Sequence, residues 1–127
     1  MAKLTRACPC GSGKQFGDCC APYLKNGVPP PDAASLMRSR YTAYTLLRED
    51  YLLATWHPST RPAMLGLAGA APTKWIGLEV KRHERQDADH AIVEFVARCK
   101  VNGRACRLHE VSRFVRRAGQ WLYVDAA

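Results

Sequence analysis

The chain has 127 residues, 47% of them hydrophobic, which fits one domain of about 100–200 residues with a small appendage and excludes wholesale disorder. Its formal net charge of +8 favours anionic partners such as nucleic acid, ribosomes or anionic lipid, although the cations are scattered and an ordinary solvated surface also accounts for them. No stretch approaches about 18 apolar residues, so no membrane span is expected.

The first residues, Met-Ala-Lys-Leu-Thr-Arg-Ala, lack the apolar segment of a secretory signal. We therefore expect a cytoplasmic protein. In that reducing compartment thiols stay reduced, and clustered cysteines bind metal more often than they form disulfides.

A cysteine cluster follows at once, with four thiols within thirteen residues. Four thiolates suit the tetrahedral shell that Zn²⁺ prefers, and the glycines between them let the chain fold back tightly. Because four thiolates leave no open coordination position, the pattern predicts a structural zinc site. Ordinary thiols or a disulfide, and a redox-active or iron-binding cluster, are the alternatives. The predicted ligands are Cys8, Cys10, Cys19 and Cys20.

Changes in amino-acid composition along the chain predict the boundaries of three segments. We expect a zinc-binding element over residues 1–24, a stiff proline-rich linker over 25–31, and one α+β domain over 32–127. Asp32 is the expected N-cap of a first helix that ends near Glu49. A second helix, from about Asp50 to Trp56, should stop before Pro58. Residues 59–73 are rich in Ala, Gly and Pro, and we expect one helical turn there, at 64–67.

Strand patterns then occupy residues 75–84, 90–101, 104–116 and 120–125. Short links between consecutive strands predict a four-stranded antiparallel meander, with the helices covering one face of the sheet. Asn102-Gly103 predicts a type I′ turn, which fixes the register: Cys99 faces Cys106 and Phe95 faces Glu110. For Cys99 and Cys106 we favour two packed thiols over a second metal site or a redox pair.

The same register places Glu110 on an otherwise apolar face, where a carboxylate must be paired, protonated or next to a water-filled cavity. A salt bridge to Arg38 or Arg40 is one expectation, and a functional pocket is the other. His57 ends the second helix as a structural residue or a catalytic base, while Arg113 falls on the opposite sheet face. The pocket candidates are Arg38, Arg40, Tyr44, Trp56, His57, Glu110 and Arg113.

Two stretches carry a resemblance to known families. The string Cys-Pro-Cys-Gly-Ser-Gly-Lys with its terminal Cys-Cys, at residues 8–20, resembles the SEC-C motif, a zinc-binding element. Segments such as Leu36–Tyr44, Thr55–Pro58 and His109–Phe114 look like the YchJ family of uncharacterised bacterial proteins. The second resemblance implies a cone of curved sheet around helices, similar to nuclear transport factor 2. The SEC-C resemblance implies a docking element that uses Lys14, Gln15 and Phe16, and a solvated loop with Phe16 packed locally is the alternative.

Three functional hypotheses follow. The leading one is a non-enzymatic, zinc-stabilised protein that docks on a protein or ribosome-associated partner. The second is a small-molecule enzyme of isomerase, dehydratase or hydrolase type, with Glu110 or His57 as proton-transfer group and an arginine holding an anionic substrate. The third is RNA binding through the basic surface, which has weaker support. Longer members of the family carry a second SEC-C element, so we expect no role here that needs two.

Overall fold

A computed structural model describes residues 6–69 and 72–127. Residues 1–5 of the predicted zinc-binding element and residues 70 and 71 of the predicted loop lie outside it. A four-stranded antiparallel sheet follows three helices, with strand order β1-β2-β3-β4, so the α+β prediction is confirmed. The helices are α1 (Ala21–Asn26), α2 (Ala33–Thr45) and α3 (Glu49–Ala54). The strands are β1 (Thr73–Arg85), β2 (His90–Val101), β3 (Arg104–Arg117) and β4 (Gln120–Ala126).

Helix α2 begins where the sequence predicts, because the Asp32 carboxylate accepts a hydrogen bond of 2.7 Å from the backbone N–H of Ser35. It ends at Thr45 and not near Glu49, since Leu47 takes a positive φ of 55° that stops the helix. Helix α3 ends before Trp56, which instead forms a bridge to Tyr123 of β4. The helical turn expected at residues 64–67 is shifted along the chain: a 3₁₀ turn lies at Leu67–Gly69 and shares only Leu67 with the prediction. In the described chain, no helix is long and apolar enough to cross a membrane.

The register of β2 and β3 matches the prediction residue by residue. Asn102 and Gly103 both have positive φ, 52° and 79°, as a type I′ turn requires. Cys99 therefore pairs with Cys106, and Phe95 pairs with Glu110. Register shifts interrupt the β1–β2 ladder at Ile76 and Lys81 and the β3–β4 ladder at Val124 of β4, and such bulges increase the local twist of a sheet.

The N-terminal element shares the core of the main domain. Its buried side chains pack in one cluster with those of α2 and the inner sheet face. Gly11, at φ 76°, lies so close to β1 that a Cβ there would sit 3.2 Å from the carbonyl oxygen of Leu78. A side chain there would crowd that oxygen by a few tenths of an ångström, and the positive φ is a second reason why glycine is favoured at this position. The shared buried residues of the element are Cys8, Cys10, Phe16, Cys20, Ala21 and Leu24.

Candidate metal centre and candidate pocket

Four sulfur atoms meet at the start of helix α1. The Sγ atoms all lie within 4.8 Å of one another, with 3.6 Å between Cys10 and Cys19 and 4.0 Å between Cys19 and Cys20. In a regular tetrahedron with Zn–S bonds of about 2.3 Å, the sulfurs lie about 3.8 Å apart. The donor set and its spacing therefore fit one tetrahedral metal ion, with Cys8 as the fourth ligand.

Local backbone geometry explains the convergence. The N–H of Cys8 donates to the carbonyl of Lys14 over 2.9 Å, and the N–H of Gly11 donates to the carbonyl of Cys8 over 3.2 Å. These bonds close a tight loop over the first cysteine pair. A 3₁₀ turn at Phe16–Asp18 then brings Cys19 and Cys20 back to the same point. Cys20 is the N-cap of α1, so the second pair stands on the helix end.

Helix α2 supports the cysteine cluster from the side of the main domain. The Thr42 hydroxyl lies 3.4 Å from the Cys20 sulfur and 3.8 Å from the Cys8 sulfur, and the Thr42 side chain is fully buried. Arg38 donates from Nη1 to the carbonyl oxygen of Cys10 over 2.9 Å. Both residues would orient the cysteines around a bound metal ion. The spacing of residues in the sequence gave no signal for Thr42.

The thiols are electrostatically coupled. Hydrogen bonds from Cys20 and then Cys8 hold the pKa of the Cys10 thiol well below its ordinary value. The pKa of Cys20 is raised, first by its bond to Cys10, and burial raises the pKa of Cys19. Once Cys10 has lost its proton, the neighbouring thiols lose theirs less readily, because like charges at this spacing repel. A divalent cation at the centre would stabilise all four thiolates.

Replacing Thr42 tests this support. In Thr42→Val, which keeps the side-chain shape and loses the hydroxyl, we expect zinc affinity to fall about 10–100-fold, the usual effect of losing an outer-shell bond. Competition with a chromophoric chelator measures the change. Thr45→Val is the matched control, because the Thr45 hydroxyl bonds only the carbonyl of Thr42 in its own helix. Equal affinities in the two variants would contradict the support by Thr42.

A separate cavity of about 260 Å³ lies between α2 and the inner face of the sheet. Four of the predicted pocket residues line it: Arg40, Tyr44, Trp56 and Glu110. Aromatic residues that the sequence analysis did not select form much of the rest. They come from distant parts of the chain, and no local pattern distinguishes them from core residues. The additional lining residues are Met37, Tyr41, Trp75, Phe95, Ala97, Leu108, Ser112 and Tyr123.

Arg40 carries a buried charge in this cavity, with 4% of its surface exposed. Its Nη1 donates to the carbonyl of Leu52 over 2.8 Å and to the hydroxyl of Thr55 over 2.7 Å. The guanidinium carbon also lies 5.0 Å from the ring centroid of Trp56 and 4.6 Å from that of Tyr123. These contacts offset part of the desolvation that lowers the pKa of Arg40.

Glu110 accepts hydrogen bonds at one oxygen. Its Oε2 accepts from the Ser112 hydroxyl over 2.5 Å and from the Tyr123 hydroxyl over 3.4 Å. Burial, followed by the charge of Glu110, raises the pKa of Tyr123 to about 12, so this phenol stays a donor. Among the ion pairs of the described residues, none joins Glu110 to Arg38 or Arg40. The expected salt bridge is therefore wrong, because the register sets Glu110 against two hydroxyls.

The remaining pocket candidates lie elsewhere. Arg38 faces the cysteine cluster, in a hollow that it shares with Cys19 and Cys20. His57 and Arg113 line a third hollow, where Arg113 pairs with Asp125 through bonds of 2.7 and 2.9 Å. The His57 ring bonds Ser59 over 2.7 Å. The structure therefore divides the seven candidates among three places.

Two further expectations change. Phe16 is buried, with Lys25 5.6 Å from its ring centroid, so of the three residues implied for docking only Lys14 and Gln15 are exposed. Cys99 and Cys106 are joined by a disulfide, with 5.1 Å between their Cα atoms. The prediction of two reduced thiols is therefore wrong here, because direct cross-strand pairing puts the Cα atoms within the range that a disulfide spans.

Comparison with known proteins agrees with this architecture. The family model described as YchJ, middle NTF2-like domain, matches residues 32–126, and the SEC-C motif matches residues 7–22. A UPF0225 protein of Polaromonas naphthalenivorans is 58% identical, over 96% of this chain and 97% of the relative. One of Chromobacterium violaceum is 59% identical, over 94% of this chain and 90% of the relative.

Two solved structures share the fold. The solution structure of a SEC-C motif containing protein from Rhodopseudomonas palustris has a TM-score of 0.85 and 32% identity, covering 94% of this chain and 96% of that one. The crystal structure of a SEC-C motif containing protein from Psychrobacter arcticus has a TM-score of 0.84 and 29% identity, covering 98% and 84%. The chain therefore belongs to the YchJ family of UPF0225 proteins, with an NTF2-like domain and a SEC-C motif.

Proposed function

We propose that the chain is a zinc-stabilised binding protein of the cytoplasm, whose N-terminal element docks on a protein or ribosomal partner. The observation that carries the proposal is the convergence of four sulfurs within 4.8 Å of one another. Four thiolates complete a tetrahedral zinc shell and leave no position for substrate, so the metal has a structural role. Cys8, Cys10 and Cys20 are also buried, which keeps solvent from the ion.

The loop between the cysteine pairs is the proposed docking surface, and we define it as residues 11–15. The zinc site fixes both of its ends, so the loop keeps one conformation and loses little entropy on binding. Lys14 and Gln15 are exposed on it. The net charge of +8 falls by two when four thiolates hold one Zn²⁺, and it stays positive. It would attract an anionic partner to the chain, and ribosomal RNA with its proteins is such a partner.

Ribosome binding gives a defined test. Zinc-loaded chain is sedimented with purified ribosomes at several salt concentrations. We expect Lys14→Glu/Gln15→Glu to weaken binding about tenfold or more, because charge reversal places repulsion in the contact. Lys100→Glu/Gln86→Glu is the matched control, since both residues are exposed, Lys100 on β2 and Gln86 in the turn after β1, and the charge change is the same. Equal losses in both variants would assign binding to net charge alone. Undetectable binding by the parent chain would exclude a ribosomal partner.

A small-molecule enzyme is the second candidate function. It is favoured by the position of Glu110 in the cavity with Arg40, where Glu110 could act as the proton-transfer group. His57 and Arg113 lie outside that cavity, which removes them from this set. Catalysis through Glu110 would require that Glu110→Gln abolish turnover and leave zinc content unchanged. Full activity of that variant would exclude the role.

A further inference from the structure

The cavity under helix α2 contains two opposite charges that do not pair with each other. Arg40 is buried there with 4% of its surface exposed, and Glu110 lines the same cavity. Hydrogen bonds engage Nη1 of Arg40 and Oε2 of Glu110, whereas the described contacts include none to Arg40 Nη2 or Glu110 Oε1. No buried side-chain nitrogen or oxygen of the described residues lacks a partner, so these two atoms are open to the cavity.

The side chain of Tyr123 contacts both charges. The Arg40 guanidinium carbon lies 4.6 Å from the centroid of this ring, and the Glu110 carboxylate lies 3.4 Å from its hydroxyl. No nitrogen of Arg40 lies within 4.0 Å of a Glu110 oxygen, so the two charges form no direct ion pair. A ligand with an anionic and a cationic group on neighbouring atoms can contact both.

The other walls of the cavity are apolar or aromatic. The Trp75 ring lies 5.5 Å from the Tyr41 ring and 6.0 Å from the Tyr44 ring, centroid to centroid. Phe95 and Ala97 are buried and also line the cavity. This wall suits an apolar or planar group. The cavity volume of about 260 Å³ is slightly below the volume of about 300 Å³ at which the usual range of small-molecule sites begins.

Charge complementarity decides the ligand class. A ligand with a single charge would gain from one of the two residues and be repelled by the other, in a cavity where water screens poorly. A ligand with both charges gains from both, and its own desolvation is then compensated at each end.

We propose that this cavity binds a small zwitterion with an apolar or aromatic body, of the α-amino-acid type, with its carboxylate at Arg40 and its ammonium at Glu110. The proposal rests on the cavity of the second candidate function and needs no reaction there.

Three probes that share a phenylethyl group test the proposal. L-Phenylalanine carries both charges, phenethylamine only the cation, and 3-phenylpropionate only the anion. Titration calorimetry on the zinc-loaded full chain should give an affinity for L-phenylalanine at least about tenfold above that for either singly charged probe. In Glu110→Gln, 3-phenylpropionate should bind at least as tightly as L-phenylalanine, because the repelling carboxylate is gone. Thermal unfolding checks that each variant is folded.

Glu94→Gln is the matched control. Glu94 lies on the outer face of the same sheet, paired with His109 over 2.7 Å and with Arg82 over 3.4 Å. The Glu94→Gln variant should keep the parent's order of affinities for the three probes. A singly charged probe that binds the parent as tightly as L-phenylalanine would overturn the zwitterion assignment and leave the cavity as a ligand site. Binding by none of the probes would overturn the ligand site as well.

Discussion

Removing zinc should unfold the N-terminal element and lower the free energy of unfolding of the whole chain by about 5 kcal/mol or more, a fraction of the ~10–16 kcal/mol with which zinc-finger peptides bind their metal. The reason is the shared core. Cys8, Cys10 and Cys20 are buried in one cluster with Leu36 of α2, so a disordered element would expose the apolar surface beneath it.

Thermal unfolding before and after treatment with a chelator measures this effect, together with metal analysis that should give one zinc per chain. Cys8→Ser/Cys10→Ser should reproduce the loss without chelator. Cys99→Ser/Cys106→Ser is the matched control: it also removes two cysteines, but it should keep one zinc per chain and lose only about 2–4 kcal/mol from the missing disulfide. An unchanged midpoint after complete zinc removal would show that the metal does not stabilise the fold.

Phe114→Ala should destabilise the chain by about 3–5 kcal/mol, the usual cost of removing a buried phenyl ring and leaving a cavity. Phe114 is 1% exposed and lies near the C-terminal end of β3. Its ring lies edge-on to Tyr123 at 5.7 Å, and Tyr123 in turn packs edge-on against Trp56 at 5.0 Å. Arg40 lies over both of those rings. The substitution therefore removes a support of the cavity as well as core volume.

Urea unfolding measures the loss. Ile76→Ala on β1 is the control, because Ile76 is 54% exposed and its truncation should cost no more than about 0.5 kcal/mol. If Phe114→Ala cost no more than the control, the sheet face that carries Phe114 would not be the main core. The affinity of the folded Phe114→Ala variant for L-phenylalanine should also fall. Phe114 packs against Tyr123, and the side chain of Tyr123 contacts both charges of the cavity.

Short-range features of the chain were predictable from the sequence. The four cysteines lie within thirteen residues, so the loop needs only local turns to gather them. The Asn102-Gly103 turn fixes the register of β2 and β3 because its backbone conformation determines which residues face each other. The meander follows from the same short links. The division of the chain at residues 24 and 31 stays a prediction, and helix α1 continues to Asn26.

The fate of the pocket candidates depended on longer-range contacts. Helix α2 is buried around much of its circumference, so a period of three to four residues could not show which side chain meets which neighbour. Arg38 and Arg40 are two residues apart, yet one contacts the carbonyl of Cys10 and the other the rings of Trp56 and Tyr123.

By itself, the sequence determined the cysteine cluster, the order of helices and strands, and the β2–β3 register, because each depends on residues close together in the chain. Only the tertiary structure decided that Glu110 and Arg40 share a cavity while His57 and Arg113 do not, and that Thr42 supports the cysteines. Those outcomes depend on how α2 packs between the cysteine element and the sheet, and packing between distant segments leaves no periodic signal in the sequence.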